Sequence, residues 1–98
     1  MQYPDHLSKK ERLIAELLVE HGELFGSTLV DCSEGLLARG TVYVTLARME
    51  EKELVRSRLL EAVKGQLPRR AYKVTPLGKR VLGAMTAAEA HMARARRA

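Results

Sequence analysis

"GTVYVTLARMEEKELV", residues 40–55, is the stretch on which the reading of this chain turns. Stepping 100° per residue places Val42, Leu46 and Met49 on one face. The spacing therefore predicts a helix over residues 41–53 with that face turned inward and Glu53 closing the stripe at its solvent end. The opposite face carries Val44, Ala47, Arg48 and Glu51, flanked by Thr41, Tyr43 and Thr45. Helix stability gives no reason for such a face, because β-branched side chains lose rotamer freedom against the preceding turn. A surface that is small and polar near the helix start, with one Arg a turn later, suits a helix that lies close against another molecule.

Upstream, Ser8 and Glu11 have capping-box spacing, so a helix starts there. Leu13, Ile14, Leu17, Leu18 and His21 continue it at helical intervals until Gly22 stops it. Residues 23–33, "ELFGSTLVDCS", place Leu24, Phe25, Thr28, Leu29 and Cys32 three and four apart and read as a short second helix despite Gly26. "EGLLARG" then serves as a linker, with Thr41 capping or beginning the third helix. Downstream, "LVRSRLLEA" and "RRAYKVT" alternate imperfectly around the turn residues Gly65 and Pro68, which predicts a two-stranded hairpin with a basic tip. Thr75 and Pro76 are an N-cap and a first helical residue, opening an Ala-rich helix that spans about 33 Å if it runs to Arg97.

At 98 residues the chain builds one modest core. With 46% apolar residues but four aromatics and no Trp, that core is mostly Leu, Val, Ala and Met, and leaves little room for an enzyme pocket. Nor does any nucleophile–base pair, carboxylate pair or phosphate-cradling Gly loop stand out, so no enzyme is expected. Lys and Arg number 17 against 12 Asp and Glu. Six of these cations, Lys64, Arg69, Arg70, Lys73, Lys79 and Arg80, fall between Ala62 and Ala88 where no acid occurs. One region of the surface is therefore positive, as a footprint for phosphates requires. Cys32 is alone and sits among apolar neighbours, which makes it an inert thiol, and the three His do not share a metal-ligand spacing with it. No metal or cofactor is expected. The start "MQYPDHLSKK" lacks the apolar run of a signal peptide, and no stretch is long and apolar enough for a membrane span, so a cytoplasmic protein is the expectation.

Helix, helix, turn, helix, basic hairpin, helix is the order of a winged helix-turn-helix: mainly α with a small β-hairpin, hence α+β. A hairpin is marginal alone and must pack on the three-helix core, which leaves its loop beside the third helix. The third helix fits the major groove of duplex DNA, and the wing, residues 63–70, reaches flanking phosphates or the minor groove. The residues expected to touch DNA are Thr41, Tyr43, Val44, Thr45 and Arg48 on the helix, with Lys64, Arg69 and Arg70 on the wing. The same basic face would also fit a different class of protein, an interaction module for an acidic protein partner or RNA.

The two stretches "GTVYVTLARMEEKELV" and "PRRAYKVTPLGKRVL" resemble the PadR family of bacterial and archaeal transcriptional regulators. The likeness rests on Gly40, Thr41, Val42, Tyr43, Leu46, Met49, Leu54, Arg70, Tyr72, Thr75, Pro76 and Gly78, and spans roughly residues 8–83. Family members usually carry Pro where Val44 stands and Gly where Glu53 stands, so an altered reading surface and an altered helix cap are expected here. Many also have a long helical C-terminal domain, against the single helix of this chain. The resemblance implies a DNA-binding regulator, a repressor rather than an activator, acting as a homodimer on a pseudo-palindromic operator. Residues 1–75 would bind DNA and residues 76–98 would form the dimerisation element. Its interface would be the stripe Leu77, Val81, Leu82, Met85, Ala88 and Met92, aided by the first helix. Duplex DNA and a second copy of the chain are the partners expected; nothing in the sequence points to a small-molecule effector.

Overall fold

The computed structural model describes residues 7–62 and 64–97, the side chain of Arg97 excepted. Residues 1–6, Val63 and Ala98, which belong to the expected domain spans and wing, lie outside the described residues. In chain order the elements are α1 (Lys9–His21), β1 (Leu24–Phe25), α2 (Gly26–Cys32), α3 (Arg39–Glu51), β2 (Val55–Leu60), β3 (Arg69–Val74) and α4 (Pro76–Arg97). The strands form one antiparallel sheet in the order β1-β3-β2. This is the winged helix-turn-helix arrangement, with one strand more than expected.

That strand is where residues 23–33 depart from a single helix. Leu24 and Phe25 pair with Tyr72 and Ala71, which delays α2 until Gly26. The cause is non-local: β3 leaves a row of backbone donors and acceptors open on one side, and a passing extended dipeptide satisfies them. Periodicity in the local sequence carries no trace of that pairing.

Local signals place α1 correctly. Ser8 Oγ accepts from the Glu11 N–H at 3.2 Å while the Glu11 carboxylate accepts from the Ser8 N–H at 2.9 Å. Gly22 ends the helix at φ 83. The third helix starts two residues before Thr41, because the Ala38 carbonyl accepts from the N–H groups of Thr41 at 3.1 Å and Val42 at 2.9 Å. Gly40 and Thr41 thus lie in the first turn of α3, without a side-chain cap. Its other end comes at Glu51, and Glu53 stands beyond the helix with φ 62. There the Leu54 N–H reaches back to the Met49 carbonyl at 2.8 Å, and the Glu53 N–H to the Glu50 carbonyl at 3.0 Å. These two bonds make a Schellman cap, so the left-handed residue that usually requires Gly is kept with Glu in its place.

Ile14, Leu18, Leu29, Val42, Leu46, Met49, Leu54 and Val55 form the sealed centre of the core. Burial of Val42, Leu46 and Met49 on one side of α3 fixes which side remains outside. At the end of α3, the Lys52 ammonium donates to the Glu11 carboxylate at 2.9 Å, tying α3 to the start of α1. Burial pushes the Glu11 carboxyl up, but the Ser8 backbone donor, the Lys52 ammonium and the Ser8 hydroxyl outweigh it and hold the group below the usual carboxylate range.

α4 opens as expected, Thr75 Oγ1 accepting from the Gly78 N–H at 3.0 Å. Thr75 also donates to the Glu53 carbonyl at 2.6 Å, which joins this cap to the one at the end of α3. The stripe assigned to an interface divides in two. Val81 and Leu82 are 8% and 9% exposed within the protomer's own core, and Leu77 and Met85 pack against it. Ala88 and Met92 are exposed, as are all side chains from Thr86 to Arg96. Val81 and Leu82 are therefore core residues of the single chain, because the first two turns of α4 cover α1 and the sheet. Arg12 clasps Glu89 with its two terminal guanidinium nitrogens, each at 2.7 Å, beyond which the helix extends into solvent.

Candidate nucleic-acid interface

With its inward stripe sealed, α3 presents Gly40, Tyr43, Val44, Ala47, Arg48 and Glu51 to solvent. Val44 is 58% and Tyr43 48% exposed, high values for apolar and aromatic side chains on a small domain. Thr41 is half-buried. Thr45 does not join this face: it is 6% exposed and its hydroxyl donates to the Thr41 carbonyl at 2.9 Å. A one-residue step around the helix carries it to the edge of the core, where a β-branched residue keeps its hydroxyl satisfied only by turning it back on the helix. Nor is the Thr41 N–H free, since it is bonded to Ala38. Among the described residues the first-turn N–H groups of Arg39 and Gly40 have no partner, and Gly40 is the one just before Thr41.

Gly40 has a second property. A Cβ built on it would meet nothing within 4 Å, so the protomer itself does not require glycine there. By contrast, a Cβ on Gly26 would come 2.5 Å from Cε1 of Tyr43. The Tyr43 ring thus lies on the backbone at the start of α2, which steadies the ring and leaves half of it outside.

The wing divides its charges between its faces, because successive strand residues point to opposite sides. Lys64 is exposed in the turn. Arg69 lies on the outer face, its guanidinium carbon 3.8 Å from the centre of the Phe25 ring, and donates to Ser27 Oγ at 2.8 Å. Arg70 lies on the face turned toward the helices and donates to Ser57 Oγ at 3.0 Å. The neighbouring cation Arg58 is neutralised by Glu23 through two bonds of 2.8 and 2.6 Å, which lower the Glu23 carboxyl and raise the guanidinium. Tyr72, one row inward of Arg70, is mostly buried; burial pushes its phenol up and the Glu50 carboxylate adds to this.

α3 thus exposes Tyr43, Val44 and Arg48, while the wing exposes Lys64 in its turn and Arg70 on the side turned toward the helices, with Arg69 held at the start of α2. Two contributors were missed by the sequence reading. Arg39 is exposed at the first position of α3, and was hidden by taking "EGLLARG" as linker. Ser27, at the start of α2, accepts from Arg69 of β3, a contact that follows from β1 pairing with β3 just before it. Among the described residues no group of His, Cys, Asp or Glu is arranged to hold a metal, and no helix is long and apolar enough to cross a membrane.

Residues 12–84 match the profile of the transcriptional regulator PadR-like family. Among solved structures, the chain is similar to a PadR-like transcription factor from Bacteroides fragilis, with 24% identity and a TM-score of 0.76 over 89% of this chain and 85% of that one. It is also similar to a PadR family transcription regulator from Clostridium difficile, with 26% identity and a TM-score of 0.73 over 90% and 94% of the two chains. Bacillus subtilis PadR, solved in complex with operator DNA, shares the fold at 20% identity and a TM-score of 0.68, over 78% of this chain and 45% of that one. No curated protein matches the sequence.

Proposed function

Since the chain belongs to the PadR-like family of transcriptional regulators, we propose that it binds duplex DNA sequence-specifically as a homodimer and acts as a repressor. The observation that carries this reading is the division of α3: one stripe is sealed in the core, while Val44, Arg48 and the outer half of the Tyr43 ring stand out to solvent. In the major groove, Val44 packs on a thymine methyl and Arg48 takes guanine O6 and N7. The free Gly40 N–H, at the positive end of a 13-residue helix, receives a backbone phosphate, and the missing Cβ lets it come close. The Thr41 hydroxyl and the Tyr43 phenol flank that phosphate. Lys64 and Arg70 on the wing neutralise neighbouring phosphates. That the Bacillus subtilis fold neighbour was solved in complex with operator DNA supports duplex DNA as the partner.

The dimer is proposed to form through the part of α4 that leaves the core. Met85, Ala88, Met92 and Ala95 recur at the three- and four-residue spacing of a coiled-coil seam. Residues 1–75 then serve as the DNA-binding part and 76–98 as the dimerisation element, with a two-fold symmetric operator as the natural target.

The test is selection from a randomised duplex pool with the protein and with Thr41→Ala, Val44→Ala and Arg48→Ala. Arg48→Ala costs about 1–3 kcal/mol on the preferred site and relaxes preference at one base pair, whereas Thr41→Ala weakens all sequences alike. If all three keep the original preference, α3 is not a reading surface, and the acidic-partner or RNA reading replaces this one. Sedimentation tests the dimer: Ala88→Glu with Met92→Lys yields a monomer that circular dichroism shows still folded, with an unfolding temperature that no longer depends on protein concentration. A wild-type protein that sediments as monomer refutes it.

A further inference from the structure

An acidic side chain on the DNA side of α3 is a liability, because it repels phosphates. Glu50 is exposed, yet it is not idle. Its Oε2 accepts from both the Ser57 hydroxyl at 2.6 Å and the Ser57 N–H at 3.2 Å. With its single proton committed to Glu50, the Ser57 oxygen is left as an acceptor, and Arg70 Nη1 donates to it at 3.0 Å. The chain Arg70–Ser57–Glu50 thus crosses β3, β2 and α3. It holds one corner of the guanidinium, while the remaining N–H groups of Arg70 have no acceptor among the described residues.

We propose that Glu50 is a positioning residue for DNA backbone binding: acting through Ser57, it sets the Arg70 guanidinium in the angle between α3 and the wing, with its free edge presented to a phosphate. This rests on the DNA-binding reading given above. A flexible Arg on a hairpin loses several rotatable bonds when it binds, and pre-ordering it removes part of that cost. The relay also fixes the wing relative to the reading helix, because one end of it is on each. Glu50 therefore favours binding in spite of its charge, the reverse of what Coulomb repulsion alone predicts.

The experiment titrates full-length variants into a labelled duplex at a series of salt concentrations, with thermal unfolding of each variant recorded alongside. Arg70→Ala reduces the magnitude of the salt slope by about 0.9, the value for one phosphate contact. Ser57→Ala and Glu50→Ala each weaken binding about three- to tenfold, the worth of one hydrogen bond; with Arg70→Ala already present, Ser57→Ala loses most of its effect and Glu50→Ala no longer weakens binding, only the relief of repulsion being left. Glu50→Gln keeps an acceptor for Ser57 and loses the repulsion, so it binds at least as tightly as wild type. Glu50→Ala binding as tightly as Glu50→Gln would overturn the relay. So would a Ser57→Ala loss of equal size with and without Arg70. If Glu50→Ala does not fold, the cycle of Ser57→Ala and Arg70→Ala decides alone. A wild-type protein that binds no duplex overturns the DNA-binding reading, and the relay with it.

Discussion

Replacing Gly40 by Ala should stabilise the free protein and damage its binding to DNA, two effects of opposite sign from one methyl group. In the free chain the new Cβ meets nothing within 4 Å, so no steric cost opposes it. Gly40 is the second residue of α3, where Ala is the better helix former and restricts the unfolded chain. The expected gain is about 0.5–1 kcal/mol, which for a domain of this size raises the unfolding midpoint by roughly 2–8 °C. In the proposed complex the same methyl group would stand where a phosphate approaches the Gly40 N–H at about 2.9 Å. Losing a hydrogen bond to a charged group costs about 1.5–3 kcal/mol, so affinity falls about 10- to 100-fold. Thermal unfolding by circular dichroism gives the first quantity and fluorescence anisotropy with a labelled duplex the second. A variant that is more stable and binds DNA as well as wild type would refute the reasoning, because nothing would then come close to Gly40.

Gly78→Ala is the internal contrast: its Cβ would lie 2.7 Å from Val74 Cγ2 and against the Leu54 carbonyl. Backbone cannot swing away as a surface side chain can, so chemical denaturation should show a loss of about 1–3 kcal/mol or more. Glu53→Gly should raise stability by roughly 1 kcal/mol, since the residue at φ 62 of the α3 cap then pays no Cβ penalty. A lower denaturation midpoint would show that Glu53 has a compensating role. Glu11 sets a pH dependence: its folded-state carboxyl lies below the ordinary value of 4.5, so its contribution is full above that value and is lost as pH falls through the lower one. Unfolding curves of wild type and Glu11→Gln should therefore converge in acid and separate toward neutral pH. Parallel curves throughout would remove Glu11 from the acid response.

What this sequence determined by itself is the part written in local chemistry. The capping box at Ser8 and Glu11, the stripe Val42–Leu46–Met49, the hairpin around Gly65 and Pro68, and the Thr75–Pro76 helix start each depend on residues within a turn or two of one another. The exposed face of α3 was legible in the same local pattern, because the inward stripe Val42–Leu46–Met49 leaves Val44 and Arg48 on the other side. Tertiary structure decided the rest. β1 exists because β3, more than forty residues away, offers an open edge. Thr45 was taken as part of the exposed face and lies against the core, since a helical wheel gives direction but not the height at which neighbouring elements close over it. The cap at Glu53 holds its left-handed residue because Thr75 and Leu54 pin that corner from the other side. Whether an apolar stripe on α4 faces its own core or a partner depends on where α1 and the sheet end. They end near Glu89: Val81 and Leu82 fall inside that limit, and Ala88 and Met92 stand exposed around it.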